Sequence, residues 1–110
     1  MNQEIKAKWV AALRSGEYKQ TREVLKSSAG YCCLGVLCDI SMRETGFGLA
    51  DNRAENHDRQ SLGQTIRDWA GLPYSVGDRV TIAGLGRVLS MHNDDGKTFL
   101  QIADAIEEQL

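Results

Sequence analysis

The chain has no excess of either charge. Thirteen Lys and Arg stand against fifteen Asp and Glu in 110 residues, a formal net charge of −2, with both signs mixed along the chain. Non-specific DNA binding needs a basic surface and a DNA mimic needs a strongly acidic one, so neither is expected. No apolar run approaches the roughly 18 residues that cross a bilayer, so no membrane segment is expected. Met1–Lys6 do not form a signal peptide. Repeats and low-complexity stretches are missing. So is a Cys-x-x-Cys knuckle: the three cysteines are odd in number, and two are adjacent. Adjacent cysteines in a strand face opposite ways, which disfavours a zinc site, so no metal and no cofactor is expected. Free thiols in an apolar run fit a reducing, cytoplasmic compartment.

That run is the densest apolar stretch present, Gly30-Tyr31-Cys32-Cys33-Leu34-Gly35-Val36-Leu37-Cys38-Asp39-Ile40-Ser41-Met42. Elsewhere charges interrupt every few residues, so this run is the expected centre of the molecule. Tyr31 to Cys33 suit a strand. From Leu34 the spacing Leu34, Leu37, Cys38, Ser41 predicts a helix to about Thr45, stopped by Gly46 with Arg43 in the last turn. Gly35 costs about 1 kcal/mol inside a helix relative to Ala, and close packing is its expected reason.

Along the rest of the chain, Asn2 can cap a helix whose face is Ile5, Trp9, Val10 and Leu13, ended by Gly16. Glu23–Lys26 reads as a strand, joined through Ser27–Gly30 to Tyr31–Cys33 in a hairpin. Residues 47–60 are nearly devoid of apolar side chains after Leu49 and Ala50 and read as a solvated loop. Ser61 can cap a helix carrying Leu62, Ile66 and Trp69, ended by Gly71 and Pro73. Arg79–Ile82 reads as a short strand. Leu85, Val88, Leu89 and His92 recur as a helix face, followed by a turn at Asn93–Gly96. Thr98-x-x-Gln101 is a capping box opening the clearest amphipathic helix, with Phe99, Ile102, Ala103, Ile106 and Leu110. The expected fold is one α+β domain over residues 1–110, mainly helical, with four or so helices around a short β-hairpin. The expected core is Ile5, Trp9, Leu13, Leu25, Cys33, Leu34, Leu37, Cys38, Leu62, Ile66, Trp69, Leu89, Phe99, Ile102 and Ile106.

Several constellations bear on chemistry. A cysteine just before a helix N-terminus would be a candidate nucleophile, with His92 or His57 as base and Asn93 or Asp94 as orienter, giving a cysteine hydrolase. The apolar flanks favour a buried structural role for Cys32 and Cys33 instead. Asn93–Gly96 lacks the twelve-residue loop and closing glutamate of a calcium site. The final helix carries Asp104, Glu107 and Glu108, which would repel DNA phosphates. Tyr18, Lys19, Gln20 and Arg22 combine an aromatic, an amide and two cations beside the hairpin, types that suit a phosphorylated ligand bearing a base. The plainer reading is a solvated edge guarded by charge.

Three pieces together carry a resemblance: Tyr18-Lys19-Gln20 followed by Tyr31-Cys32-Cys33-Leu34-Gly35-Val36-Leu37-Cys38-Asp39; Trp69-Ala70-Gly71-Leu72; and Asn93-Asp94, Gly96, Thr98-Phe99 and Ile102–Glu107. The chain resembles a family of small proteins of tailed bacteriophages and prophages, over most of its length outside 47–60. It departs from the family pattern at Thr21, where relatives have glycine, and at His92, where they have an apolar residue. The resemblance implies a phage-encoded accessory protein of the host cytoplasm. Proteins of that gene class often block a host defence. The expected function is therefore non-catalytic: binding and sequestering a phosphorylated nucleotide signal, with Tyr18, Lys19, Gln20, Arg22, Asn93 and Asp94 as ligand contacts and a homodimer as container. The rivals are a protein–protein inhibitor of a host factor, anchored by Phe47 or Tyr74, and the cysteine hydrolase.

Overall fold

The computed structural model describes residues 1–110. Asn2 starts the first helix as its side chain allows: its Oδ1 accepts from Ile5 N at 3.0 Å, and α1 runs Gln3–Arg14. Ile5, Trp9, Val10 and Leu13 form its buried face. The apolar run becomes helix α2, Cys33–Thr45, closed by Gly46 at φ 82°. Eight of its thirteen residues are buried, on every side of the helix. A helix apolar all round belongs in the middle of a fold, and α1, a third helix and a fifth helix all pack against it. The indole of Trp9 donates to the carbonyl of Cys33 at 2.9 Å, so the largest core side chain leaves no polar atom unpaired.

Gly35 has the structural reason expected of it. A Cβ there would lie 1.7 Å from the Leu25 carbonyl oxygen, so α2 can meet the 23–26 segment only through a glycine. That segment is not the expected strand. Glu23 has φ 69°, which breaks an extended run, and the hairpin shrinks to β1, Lys26–Ser27, and β2, Gly30–Tyr31. Its register pairs Lys26 with Tyr31. The second strand stops before Cys32 because Cys32 is already the N-cap of α2, its Sγ accepting from Gly35 N at 3.4 Å. On its other side Tyr31 bridges to Gln20 in a parallel sense.

Residues 47–60 do not form a loop. They contain helix α3, Leu49–Asn56, whose Asp51 carboxylate accepts from Gly48 N at 2.9 Å. Its anchor is polar rather than apolar: Asn52 is fully buried, accepting from Gly63 N at 2.8 Å and donating to Ser61 O at 3.1 Å. Helix α4, Gln64–Ala70, is capped by Gly63 and not by Ser61. Glu55 of α3 supplies the missing cap, accepting from Thr65 N at 2.8 Å and from the Thr65 hydroxyl.

Arg79–Ile82 is strand β3, as expected. Leu85–Val88 is its partner β4 and not a helix face. The connection is Ala83-Gly84, both at positive φ (52° and 81°), the geometry of a two-residue hairpin turn. Helix α5 follows immediately as Leu89–Asp94, and Asn93 and Asp94 lie in its last turn rather than in a loop. Thr98 caps α6, Phe99–Gln109, with the expected capping box. The fold is α+β and mainly helical, with six helices and two antiparallel hairpins. Of the expected core, only Trp69 falls short, being half-buried against it. No helix is long and apolar enough to cross a membrane.

Candidate functional site

Of the six expected ligand residues, Gln20 and Asn93 bind each other, Tyr18 and Asp94 bind other parts of the chain, and Lys19 and Arg22 make no side-chain hydrogen bond. Asn93 is fully buried. Its Oδ1 accepts from Gln20 Nε2 at 2.9 Å and from Cys33 N at 3.2 Å, and its Nδ2 donates to Thr21 O at 2.8 Å. Gln20 also donates to Lys97 O at 2.8 Å and accepts from Phe99 N at 3.1 Å. These two amides therefore tie four places together: the 20–21 segment, the start of α2, the end of α5 and the start of α6. Asp94 accepts from Glu23 N at 2.8 Å. Asn93 is buried and Gln20 part-buried, and the structure uses both amides as ties within the fold.

Tyr18 is similarly engaged. Its hydroxyl donates to Asp39 Oδ2 at 2.5 Å and accepts from Arg43, and Arg43 also pairs with Asp39 at 2.9 Å. Burial, then the Asp39 carboxylate, push the phenol up to about 12. Lys19 and Arg22 are exposed and form no ion pair.

The cysteines are buried. Burial pushes the Cys32 thiol up to about 11 and Cys38 up to about 12, and raises Cys33 well above its ordinary value. Cys32 does sit at a helix N-terminus, but desolvation outweighs the amide hydrogen bonds it receives there. His92 does not reach a thiol. Its Nε2 donates to Val80 O at 2.7 Å, while Nδ1 is buried without a partner. His57 is exposed, at the C-terminus of α3.

Open charge gathers elsewhere. An open groove is lined by Leu25, Lys26, Leu49, Ala50, Arg53, Asp58 and Arg59. Its apolar floor is Leu25 with the Leu49–Ala50 turn of α3, and Arg53 stands on the same helical face by i, i+4 spacing. Arg59 is held by its backbone, whose carbonyl accepts from Leu25 N at 2.8 Å. Lys26 lies 5.0 Å from the centroid of the Tyr31 ring, a cation–π contact worth about 0.5–1 kcal/mol at an exposed site. None of the three cations forms an ion pair. The single carboxylate, Asp58, is occupied by Gln60 N at 2.7 Å and by Ser61 N at 2.8 Å and Oγ at 2.6 Å. Burial works to raise its pKa, and those hydrogen bonds outweigh burial, leaving it below the usual value. Three unpaired cations over an apolar floor can hold a phosphate or carboxylate attached to an apolar or planar body.

The sequence carried a signal for this groove. Gly48-x-x-Asp51 can open a helix, and a helix over 49–56 puts Leu49, Ala50 and Arg53 on one face. Reading 47–60 by its low apolar content concealed it.

The chain belongs to the family described as a domain of unknown function, DUF8296, whose model matches residues 1–110. Neither the curated proteins nor the solved structures contain a match.

Proposed function

We propose that the protein is a non-catalytic binding protein for a phosphorylated nucleotide signal, encoded by a tailed phage or prophage and working in the host cytoplasm to withdraw that signal from a defence response. The observation that carries the reading is the groove of Lys26, Arg53 and Arg59, where three cations without ion pairs surround an apolar floor. Guanidinium groups match phosphate oxygens two at a time, and the groove offers two of them beside one ammonium. Action by binding rather than turnover is supported by the thiols, all held in the protonated form by burial. The groove is open, so a second copy of the chain closing over the ligand is part of the reading.

Calorimetry against a panel of cyclic and ADP-ribose-type nucleotides tests it. The expected result is micromolar binding or tighter, weakened about tenfold by Arg53→Ala or Arg59→Ala, with ligand-dependent dimerisation in light scattering. If no nucleotide binds at micromolar concentration, the reading fails and the protein–protein inhibitor takes its place. Tyr74, 60% exposed, would then be the anchor to mutate first.

A further inference from the structure

We infer that the ligand of the groove carries a planar base that stacks on Tyr31, with Lys26 leaving the Tyr31 ring to meet the ligand's phosphate. The inference rests on the groove reading above and specifies what lies beyond the phosphate. Lys26 takes part in two places at once: it lines the groove, and it lies 5.0 Å over the Tyr31 ring. The hairpin register brings the two side chains together, because Lys26 and Tyr31 are direct cross-strand partners.

The two sides of that contact differ in freedom. Tyr31 is fixed. Its N–H donates to Lys19 O at 2.8 Å, its carbonyl accepts from Thr21 N at 2.8 Å, and Tyr18 braces its ring at 5.0 Å and 89°. Lys26 is exposed, with no ion pair and no side-chain hydrogen bond. A phosphate beside Arg53 and Arg59 gives its ammonium a stronger partner than an aromatic face. When the lysine swings toward the phosphate, it uncovers the ring face it occupied. One lysine side chain spans groove and ring. A nucleotide has the same two ends, a phosphate for the cations and a base for the ring, separated by one ribose. The free protein thus keeps the stacking face covered until a phosphate arrives, and a nucleoside without phosphate finds it occupied.

The test compares ribose 5-phosphate, adenosine 5′-monophosphate and adenosine by calorimetry on the full chain. Adenosine monophosphate is expected to bind about tenfold tighter than ribose 5-phosphate, the gain from one stacked base. Adenosine alone is expected to bind more weakly than either. Tyr31→Leu should bring the two phosphates to equal affinity, with ribose 5-phosphate bound no more weakly than by the unmodified protein, because Lys26 then has no ring to leave. Tyr31→Phe should keep the difference. Should the leucine variant not fold, magnetisation transfer between the adenine protons and the Tyr31 ring of the unmodified protein decides the same point. Equal affinity of the two phosphates, a difference that survives Tyr31→Leu, or no transfer to the ring overturns this inference and leaves the groove reading standing. Binding of neither phosphate overturns this inference, and where no nucleotide of the panel binds either, the groove reading falls with it.

Discussion

Two regions of this molecule are built from similar polar residues and use them in opposite ways. Around the part-buried Gln20 and the buried Asn93, each amide meets partners from other parts of the chain. Around Arg53 and Arg59, the charged ends are open and none is ion-paired. The first region holds the fold together. The second is held in place from behind, by Asn52 on Gly63 and by the Arg59 carbonyl on Leu25, and spends nothing at its front. Polarity alone therefore does not tell an engaged side chain from a free one. The number of unsatisfied groups does.

The largest expected effect tests how tightly the first region is closed. Gly35→Ala sets a methyl against the Leu25 carbonyl, backbone against backbone, and should cost about 4 kcal/mol or prevent folding. Urea denaturation measures it, and a loss below about 1 kcal/mol would show that the 23–26 segment yields easily. Next comes Asn93→Ala, which strands Cys33 N, Thr21 O and the Gln20 amide, at about 3 kcal/mol in the same measurement.

Asn52→Ala carries the comparison into the groove. It should cost about 2 kcal/mol and also weaken nucleotide binding, because the groove is framed by the helix that Asn52 pins. Loss of stability with full affinity would separate frame from site.

A pH series addresses the buried thiols. The Cys32 pKa stands at about 11 in the folded chain against 9.0 ordinarily. A raised folded value means the folded state holds protons that the unfolded state releases. This contribution is complete below pH 9 and is lost as pH rises through about 11. The melting temperature should therefore fall between about pH 8.5 and 10.5, and Cys32→Ala should make that slope shallower, with Cys33 and Cys38 keeping the rest. The smallest stability change belongs to the groove's front. Arg53→Ala and Arg59→Ala should shift stability by less than about 0.5 kcal/mol while weakening nucleotide binding about tenfold. A stability loss of about 2 kcal/mol would move either arginine to the structural side of the comparison.

Much of the fold was legible where the rule was local. Asn2 on Ile5 and Thr98 with Gln101 are caps spanning three residues, and both helices begin where the caps predict. The apolar run, being helical and apolar all round, had to be central. The second hairpin was misread because Leu85, Val88, Leu89 and His92 keep helical spacing across a strand–helix junction. The signal for the strand was the turn, and Ala83 at positive φ is a residue that seldom announces one.

The sequence by itself determined the class of fold, the core and the central position of α2. Those follow from apolar periodicity and from caps whose two partners lie within one helical turn. Only the tertiary structure decided which polar residues are spent and which remain free. Gln20 meets Asn93 across 73 positions of chain, and Leu25 meets Arg59 across 34. A hydrogen bond between residues that distant leaves no periodic trace, so the chain must fold before its structural amides can be told from its open cations.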